Sequence, residues 1–460
     1  MFTAEEILKA ANGELEQGSK STRFRSLSTN SRTVRRGDLF IPLIGKKYDG
    51  HGFILKALKK GAAGALTSKN IKPVPGDRVI IKVKDTERAL QDIARFHRQR
   101  FKVPIIGVTG SSGKTTTKDM IASILSQNWK TLKNEENLNN EIGVPLTLLK
   151  LDKTHKAAVI EMAMQGAGEI EELAQIVLPK IAVITNIGEA HLQHLGSKKN
   201  VAKVKAEILK YLNSGEHIAV LNADDEYFSF LRKAAKRAKV SSFGINGEAM
   251  VRASNIKRGD RGSTFDLICR SGKIGVYVPL PGAHNIYNAL AAAAAALGLG
   301  ANINLIARGL KNFKPSSKRM AIRTANGIRI INDSYNANPS SMKAAISVLS
   351  EQGSVVGAAL PRRIAVLGDM LELGKTSKKA HKDIGAFVAK HGIDVLITKG
   401  YLSREIARGA KSSGMTKIYR SASNEEARKL LKKIIKPNDV ILIKGSRGMK
   451  MEEIAENLLK

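Results

Sequence analysis

The pattern of hydrophobic and polar positions changes near residue 103. Before it, short strand-like runs over residues 38–43 and 79–83 mix with two helical stretches. After it, apolar runs of strand length alternate with amphipathic stretches of helix length, as in IIGVTG, AAVIEMA, IAVITNIG and HIAVLNAD. A second alternating series follows Pro315, with GIRIINDSY, RIAVLGDM, DVLITKG and DVILIKGS. Alternation of this kind predicts mostly parallel sheets covered by helices.

The chain of 460 residues is long enough for about three domains. We predict an α/β protein with an N-terminal α/β domain over residues 1–102, a central nucleotide-binding domain over 103–315 and a Rossmann-like doubly wound domain over 316–460. Ligands of open α/β sheets bind at the carboxyl ends of the strands. The loops after the strands are therefore where chemistry is expected.

The central domain opens with GVTGSSGKTTT at residues 107–117, between an apolar run and a helical stretch. Gly110 and Gly113 allow the backbone to approach a phosphate, Lys114 can reach the β and γ phosphates, and Thr115 can hold Mg²⁺. The spacing is shorter than in the common P-loop, because Val108 stands where the first glycine should be. A plain structural turn is the alternative, but the strand, the helix and the Lys-Thr pair together favour a nucleotide site.

Three further side chains follow the strands of this domain. Glu161 ends an apolar run and is placed to hold Mg²⁺, unless it only caps a helix or pairs with a surface lysine. His191 follows the next run and is either a ligand or a structural histidine. Lys205 lies inside the apolar stripe of a helix, where a buried amine tends to lose its proton and could capture CO₂ as a carbamate. The alternative is that Lys205 extends along the edge of the stripe to water.

The third segment contains INDSYNANPSSM. Asp333 follows a strand and could bind a ribose hydroxyl, although a plain turn role competes with that interpretation. Asn338 precedes Pro339 and can be explained as a helix cap without any further function.

Composition narrows the choice of partners. The net charge of +35 would attract any polyanion, but the basic residues are spread along the chain and aromatic residues are only 5%. We expect a solvated basic surface and no nucleic-acid partner. One cysteine, an acidic N-terminus and no apolar stretch longer than residues 289–301 predict a cytoplasmic, monomeric protein without membrane insertion.

The motifs together resemble those of the Mur ligases along nearly the whole chain. The residues that carry the resemblance are STNSRTVRRGDLFIPLIGKKYDGHGFILKALKKGA, GVTGSSGKTTTK, ENLNNEIGVPLTLL, EMAMQGAGEIEEL, NIGEAHLQHLGS, VAKVKAEIL, PGAHNIYNALAA, NDSYNANPSSM, LGDMLELG and KGSRGMKME. The motif DSYNANP favours the member that adds D-Ala-D-Ala to a UDP-MurNAc-tripeptide. The resemblance implies an ATP-dependent, ADP-forming ligase that works through an acyl phosphate in peptidoglycan precursor synthesis.

The resemblance also implies roles for particular residues. Catalysis would depend on Lys114, His191 and Lys205, and the metal ligands would be Thr115, Glu161, His191 and a carbamylated Lys205. ATP would contact Gly110, Ser111, Ser112, Gly113, Lys114, Thr115, Thr116, Asn285, Arg319 and Asp333. The N-terminal domain would bind the UDP-sugar end of the precursor, and Ser31 and Arg32 fall in its nucleotide-sugar motif. The other substrate-binding residues would be Asn139, Asn140, Tyr335, Asn336 and Asn338.

Two other functions remain open at this point. Another amide ligase of the same superfamily, either the one that adds the third amino acid or a folylpolyglutamate synthase, shares most of these motifs. A basic nucleic-acid-binding NTPase is the alternative from another class, suggested by the charge. Phosphate release with D-Ala-D-Ala against single amino acids separates the ligases, and stimulation by DNA or RNA would indicate the NTPase.

Overall fold

The computed structural model describes residues 2–45, 47–353 and 360–458, with only the backbone of residue 457. Two compact units emerge from the contacts between Cα atoms. The first comprises Met1–Val103, Asn134–Lys156 and Glu172–Leu178, and the second comprises Pro104–Lys133, Ala157–Glu171 and Pro179–Lys460. The predicted domain boundaries stay a prediction, because the stretches at 134–156 and 172–178 group with the first unit.

The first unit contains a five-stranded sheet in the order β2-β7-β6-β5-β4, parallel except for the β2-β7 pair, and a separate β1-β3 pair. Its helix α1 begins at a capping box formed by Thr3 and Glu6, and Asp85 caps α3. The elements up to residue 103 are β1 (Phe2–Thr3), α1 (Ala4–Ala11), β2 (Glu14–Gln17), β3 (Arg23–Phe24), β4 (Leu27–Ser28), β5 (Leu39–Phe40), α2 (Ile54–Lys59), β6 (Gly64–Thr67), β7 (Val79–Lys82) and α3 (Thr86–Gln99).

The second unit contains a nine-stranded sheet in the order β16-β15-β14-β13-β12-β11-β8-β10-β9. All neighbours from β9 to β14 run parallel, and β14, β15 and β16 form an antiparallel meander. The elements are β8 (Ile105–Thr109), α4 (Lys114–Leu125), β9 (Thr131–Lys133), α5 (Gly143–Leu148, in the first unit), β10 (Ala157–Glu161), α6 (Glu169–Val177), β11 (Ile181–Ile184), α7 (Leu192–Leu195), α8 (Lys198–Ala206), β12 (Ile218–Asn222), α9 (Phe228–Ala234), β13 (Lys239–Gly244), β14 (Val251–Gly259), β15 (Gly262–Cys269), β16 (Gly272–Val278), α10 (Ala283–Gly298) and α11 (Ile303–Lys311).

The same unit contains a six-stranded sheet in the order β17-β18-β22-β19-β20-β21, parallel except for the β17-β18 pair. This is the doubly wound sheet expected of a Rossmann-like domain. The elements are β17 (Ala321–Ala325), β18 (Ile328–Asn332), α12 (Pro339–Ser350), β19 (Arg363–Gly368), α13 (Ser377–Lys390), β20 (Val395–Lys399), α14 (Ser403–Ser412), β21 (Ile418–Ser421), α15 (Asn424–Ile434), β22 (Val440–Lys444) and α16 (Glu452–Leu458).

The predicted α/β architecture with mostly parallel sheets is confirmed. Strands β8, β10 and β22 are buried along their whole length, as is typical of parallel strands covered on both faces. The run of alanines at 289–296 is fully buried within α10, so this stretch is the tightly packed helix that its composition predicts. Within the described part of the chain, no helix has both the length and the apolar character needed to cross a bilayer.

Candidate functional site

The glycine-rich loop joins β8 to α4 and is shaped by two glycines that no other residue could replace. Gly110 has a φ of 151°, and a Cβ there would lie 1.9 Å from Oγ1 of Thr185. Gly113 has a φ of 77°, and its Cβ would lie 2.2 Å from Oδ1 of Asn288. The loop therefore packs tightly against two other segments, and its backbone amides meet the first turn of α4 where an anion is favoured.

Polar contacts from the segment after β11 hold this loop. Ser111 Oγ lies 2.8 Å from the backbone N of Gly188, and Ser112 donates from its backbone N to Oδ1 of Asn186 at 3.1 Å. The side chains of Thr185 and Asn186 in turn donate to the carbonyl oxygen of Ser112, at 2.6 and 3.0 Å. The loop is thus preorganised by protein contacts. Thr116 lies half-buried in the first turn of α4.

Glu161 at the end of β10 and Thr115 in the first turn of α4 face each other. Thr115 Oγ1 donates to Oε2 of Glu161 at 2.7 Å, and both residues are buried. Burial pushes the pKa of Glu161 upward, but the positive charges of Lys114, Lys118 and Arg319 outweigh it and hold the pKa below its usual range. Glu161 is therefore a buried carboxylate that stays ionised, which excludes the alternative of a surface ion pair.

Lys114 lies among these groups. Its Nζ donates to the carbonyl oxygen of Gly110 at 3.0 Å, within the loop itself. Burial lowers the pKa of Lys114, Glu161 opposes this shift and Arg319 adds to it. The Lys114 amine therefore lies beside the loop, and a rotation of the side chain would bring it to a bound phosphate.

Lys205 is buried, with 2% of its surface exposed. The predicted alternative, an extended lysine reaching water, is wrong. Burial, and after it the charge of Lys114, places the pKa of Lys205 well below its ordinary value. Its helix, α8, ends at Ala206 and tightens into a 3₁₀ turn over Glu207–Tyr211. Among the described residues, no side chain forms an ion pair or hydrogen bond with the Lys205 amine.

His191 precedes the short helix α7 in the left-handed conformation, with a φ of 54°. Burial, and then the charges of Lys114 and Lys205, lowers its pKa to about 4, so the imidazole is neutral at neutral pH. Its Nδ1 lies 2.9 Å from Oε2 of Glu372. The two atoms are close enough for an ion pair, but their geometry does not meet the angle of a hydrogen bond. His194, three residues further along the same motif, shows no comparable side-chain contact among the described residues.

A polar cluster marks the start of α10. Asn285 is buried, donates from Nδ2 to the carbonyl oxygen of Pro281 at 2.8 Å, and accepts from Nδ2 of Asn288 at 3.1 Å. Asn288 also accepts from Thr117 of α4 at 3.3 Å. Asn285, which the resemblance assigns to ATP as its adenine contact, therefore belongs to a network that reaches Thr117 in the first turn of α4.

Arg319 and Asp333 lie at the edge of the six-stranded sheet. The Arg319 guanidinium stacks 3.7 Å from the ring centroid of Tyr335. Asp333 accepts from Nζ of Lys444 at 2.5 Å and from the backbone N of Met320 at 3.1 Å. Asp333 therefore has structural partners already, and the turn role left open by the sequence is part of what it does.

The two asparagines of the DSYNANP motif have different surroundings. Asn338 caps α12 and forms a capping box with Ser341, at 2.8 Å from its Oδ1 to the backbone N. Asn336 accepts from Lys444 at its carbonyl oxygen and lies 3.4 Å from the backbone N of Arg447. The cap explains Asn338 fully, while Asn336 joins two cationic residues to the motif.

A cavity of about 580 Å³ lies beside the predicted nucleoside residues. Pro281 and Met320 line it, and these are the backbone partners of Asn285 and Asp333. Neither Asn285 nor Asp333 lines the cavity itself.

The predicted sugar-nucleotide residues lie in the first unit. Ser31 and Arg32 occupy a turn held by Asn30, whose Oδ1 accepts from the backbone N of Arg32 at 2.9 Å. Asn140 accepts at Oδ1 from the backbone N of Gly143, the first residue of α5, at 2.9 Å, and its neighbour Asn139 is half-buried. A cavity of about 500 Å³ in this unit is lined by residues 25–30, Thr33, His97, Leu138 and residues 149–151, among others.

The strand order explains why the central residues meet. Strand β8 lies between β10 and β11, and Glu161 pairs with Val108 in register. The carboxyl ends of these three parallel strands thus bring Glu161, the glycine-rich loop and the segment of His191 to one edge of the sheet. The sequence could not predict that Lys444 contacts Asp333 or that Glu372 contacts His191. The two residues of each pair are more than a hundred positions apart in the chain.

Comparison with known proteins agrees with this architecture. Residues 23–98 match the model described as "Mur ligase family, catalytic domain", residues 108–296 match "Mur ligase middle domain" and residues 318–447 match "Mur ligase, glutamate ligase domain". The UDP-N-acetylmuramoyl-tripeptide--D-alanyl-D-alanine ligase of Bacillus subtilis (strain 168) is 36% identical over 98% of this chain and 95% of its own length.

Solved structures show the same likeness. The crystal structure of MurF from Acinetobacter baumannii superposes with a TM-score of 0.91 at 33% identity, covering 100% of this chain and 98% of that one. The MurF ligase from Thermotoga maritima in complex with ADP gives a TM-score of 0.82 at 29% identity, covering 95% and 96%. With the three domains, the phosphate loop and the strand-end residues in the same chain, the protein belongs to the Mur ligase family.

Proposed function

We propose that this chain is an ATP-dependent ligase that joins D-Ala-D-Ala to UDP-MurNAc-tripeptide, giving UDP-MurNAc-pentapeptide, ADP and phosphate. The observation that carries the proposal is the preorganised phosphate loop beside an ionised, buried Glu161, in a chain similar over nearly its full length to ligases of that name. A reaction that consumes ATP and a nucleotide-linked precursor belongs in the cytoplasm. We infer a monomer that uses neither nucleic acid nor a membrane.

The ATP site is assigned to the residues around the loop. The backbone of Gly110, Ser111, Ser112 and Gly113 would surround the phosphates, with Lys114 turning from Gly110 toward the β and γ phosphates and Thr116 in the first turn of α4. Asn285 would contact adenine, Arg319 the phosphates and Asp333 the ribose. Arg319 and Asp333 come from the segment that follows Pro315, so ATP binding would connect the two sheets of the second unit.

The residues present fit a divalent cation. Buried Glu161 is ionised, His191 is a neutral imidazole, and Thr115 supplies a hydroxyl. Among the described residues, no three His, Cys, Asp or Glu side chains cluster as a complete metal site. A carbamate on Lys205 would supply the missing carboxylate. Bound Mg²⁺ would offset negative charge on the transferring phosphoryl group.

The mechanism follows from this arrangement. The terminal carboxylate of the tripeptide attacks the γ-phosphorus of ATP, a P–O bond to the β-phosphate breaks, and an acyl phosphate and ADP result. Lys114 and Arg319 stabilise the charge that develops on the transferred group. The amine of D-Ala-D-Ala then attacks the acyl carbon, and the tetrahedral adduct expels phosphate to leave the amide.

The two peptide substrates are assigned to different parts of the chain. The turn at Ser31 and Arg32, with the 500 Å³ cavity of the first unit, would take the UDP end of the precursor. Asn139 and Asn140 would lie along its muramoyl-peptide portion. Tyr335, Asn336 and Asn338 would face the incoming dipeptide.

Phosphate release tests the proposal directly. The purified chain, ATP, Mg²⁺ and UDP-MurNAc-tripeptide should release phosphate when D-Ala-D-Ala is added and should not when single amino acids replace it. Glu161→Gln, which keeps the shape of the side chain but loses its charge, should abolish this release. Release with single amino acids, but not with the dipeptide, would indicate the related ligase instead. Comparing tripeptides with diaminopimelate or lysine at the third position then defines the natural precursor.

A further inference from the structure

The loop after β19 reaches from the six-stranded sheet to the predicted metal ligand. Glu372 in this loop places Oε2 2.9 Å from Nδ1 of His191, and its carbonyl oxygen accepts from the backbone N of Gln193 at 3.2 Å. Gly374 packs so closely that a Cβ there would lie 3.1 Å from the Cα of Gln193. The loop thus contacts the His191 segment three times, twice through Glu372 and once at Gly374.

Both partners of the ion pair have unusual backbones. His191 has a φ of 54° and Glu372 a φ of 63°, in the left-handed region that side chains other than glycine and asparagine rarely adopt. Such a conformation is strained, and it persists only where the surroundings fix it. Two strained residues in contact with each other indicate that their juxtaposition is selected.

The far side of the loop is anchored firmly. Met370 donates from its backbone N to Nε2 of His381 at 2.9 Å, and Leu371 donates to Oγ of Ser446 at 2.8 Å. His381 is itself buried, with Nδ1 2.7 Å from the carbonyl oxygen of Ser377, so its neutral form is held in one orientation. The position of the Glu372 carboxylate is therefore defined by the six-stranded sheet.

We propose that Glu372 is a positioning residue, which holds the His191 imidazole at Nδ1 so that Nε2 is presented to the cation. The inference rests on the proposed metal site. Metal-binding histidines commonly contact a carboxylate through the ring nitrogen that does not bind the metal, and loss of such a partner weakens metal binding roughly 10- to 100-fold. The Glu372 side chain is half-exposed, so it acts through orientation more than through its charge.

Because Glu372 lies in the loop after β19, the predicted metal site depends on contact between the two sheets. His191 belongs to the nine-stranded sheet and Glu372 to the six-stranded one, so the imidazole is oriented only while the two sheets are docked. An acyl phosphate would then form only in a site already covered by both sheets. This arrangement protects the intermediate from water without any additional residue at the reacting atoms.

The test measures metal binding without turnover. Mn²⁺ is titrated into the full-length protein with saturating ADP, and free Mn²⁺ is followed by its paramagnetic resonance signal. Glu372→Ala should weaken Mn²⁺ binding at least about tenfold. Glu372→Gln, which keeps the length and an oxygen that can accept from Nδ1, should stay close to the unaltered protein. ADP affinity, measured separately by calorimetry, should not change.

Glu351→Gln is the matched control. Glu351 pairs with Arg258 at 2.6 Å, which is another ion pair between the two sheets and far from the loop of Glu372. If this variant weakens Mn²⁺ binding as much as Glu372→Ala, the effect comes from docking in general and the positioning role is refuted. Unchanged Mn²⁺ binding in Glu372→Ala refutes it as well. If the unaltered protein binds Mn²⁺ no better than Glu161→Gln, the metal site itself is wrong.

Discussion

Replacing Lys205 by alanine removes the amine on which the proposed carbamate depends. The amine is well suited to this modification, because burial and the nearby Lys114 lower its pKa and so favour the neutral form that reacts with CO₂. Without a carbamate, the carboxylate of Glu161 would be left to balance the charge of a divalent cation by itself. Lys205→Ala should therefore lose ligation activity while the fold persists.

The expected loss of stability in Lys205→Ala is small and the expected loss of activity is large. Lys205 is 2% exposed, and truncation removes three methylenes from the interior, worth roughly 0.8 kcal/mol each. Relief of the buried amine offsets part of this loss, so we expect the melting temperature to fall by only a few degrees. Loss of an electrostatic group that acts on the transferring phosphoryl should lower kcat on the order of 10²- to 10³-fold.

The assay follows ADP release with both peptide substrates present, alongside thermal unfolding of each variant. Formate or acetate should partly restore activity to Lys205→Ala, because a small carboxylate can occupy the space of the carbamate. Lys203→Ala is the control, since Lys203 is exposed on the same helix. Full activity in Lys205→Ala would refute the carbamate proposal, as would equal losses in the two variants.

Three further outcomes can be measured on the same protein. Gly113→Ala should abolish ATP binding in calorimetry, because the new Cβ would lie 2.2 Å from Oδ1 of Asn288. Gly300→Ala is its control, since Gly300 has a φ of 86° and no atom close to the position of a Cβ. This control should cost about 1 kcal/mol of stability and leave ATP affinity unchanged. Burial lowers the pKa of His284 to about 4 from 6.5 in the unfolded chain, so stability should fall by about 2 kcal/mol as the pH drops from 6.5 toward 4, and His284→Asn should flatten this part of the melting profile. Asn338→Ala should cost about 1 kcal/mol through loss of the α12 cap, and Asn338→Ser should restore stability; a raised KM for D-Ala-D-Ala in Asn338→Ser would show that the side chain also contacts substrate.

Much of the fold was predictable because parallel strands covered by helices have a simple signature. The apolar runs ending at Glu161 and at residues 184 and 444 became strands β10, β11 and β22. The antiparallel meander β14-β15-β16 was not predicted. Its strands alternate buried and exposed positions, with polar residues between the apolar ones, and such a pattern is weaker than a continuous apolar run.

The site was predictable only as far as it lies along the sequence. The phosphate loop is contiguous, and periodicity placed Lys205 on the apolar face of its helix, but only the fold decides whether the amine reaches water. Contacts such as Lys444 with Asp333, and Glu372 with His191, join strand ends that are distant in sequence. Nothing in local propensity encodes these pairs, because they follow from the order of the strands in the two sheets.

The contacts between the nine-stranded and six-stranded sheets suggest how the protein protects its intermediate. One contact is at the site, where Glu372 meets His191. Another is at the β14-β15 turn, where, together with the Arg258–Glu351 pair, Asp260 accepts from Arg329 at 2.6 Å and from the backbone N of Gly353 at 3.1 Å. Two separated contacts resist rotation of one sheet against the other far better than either contact alone. The meander that sequence patterns missed thus supplies the second contact, and its turn extends the docked surface well beyond the reacting atoms. Because an acyl phosphate survives only where water is excluded, we argue that this remote contact serves the chemistry by keeping the sheets together while the intermediate exists.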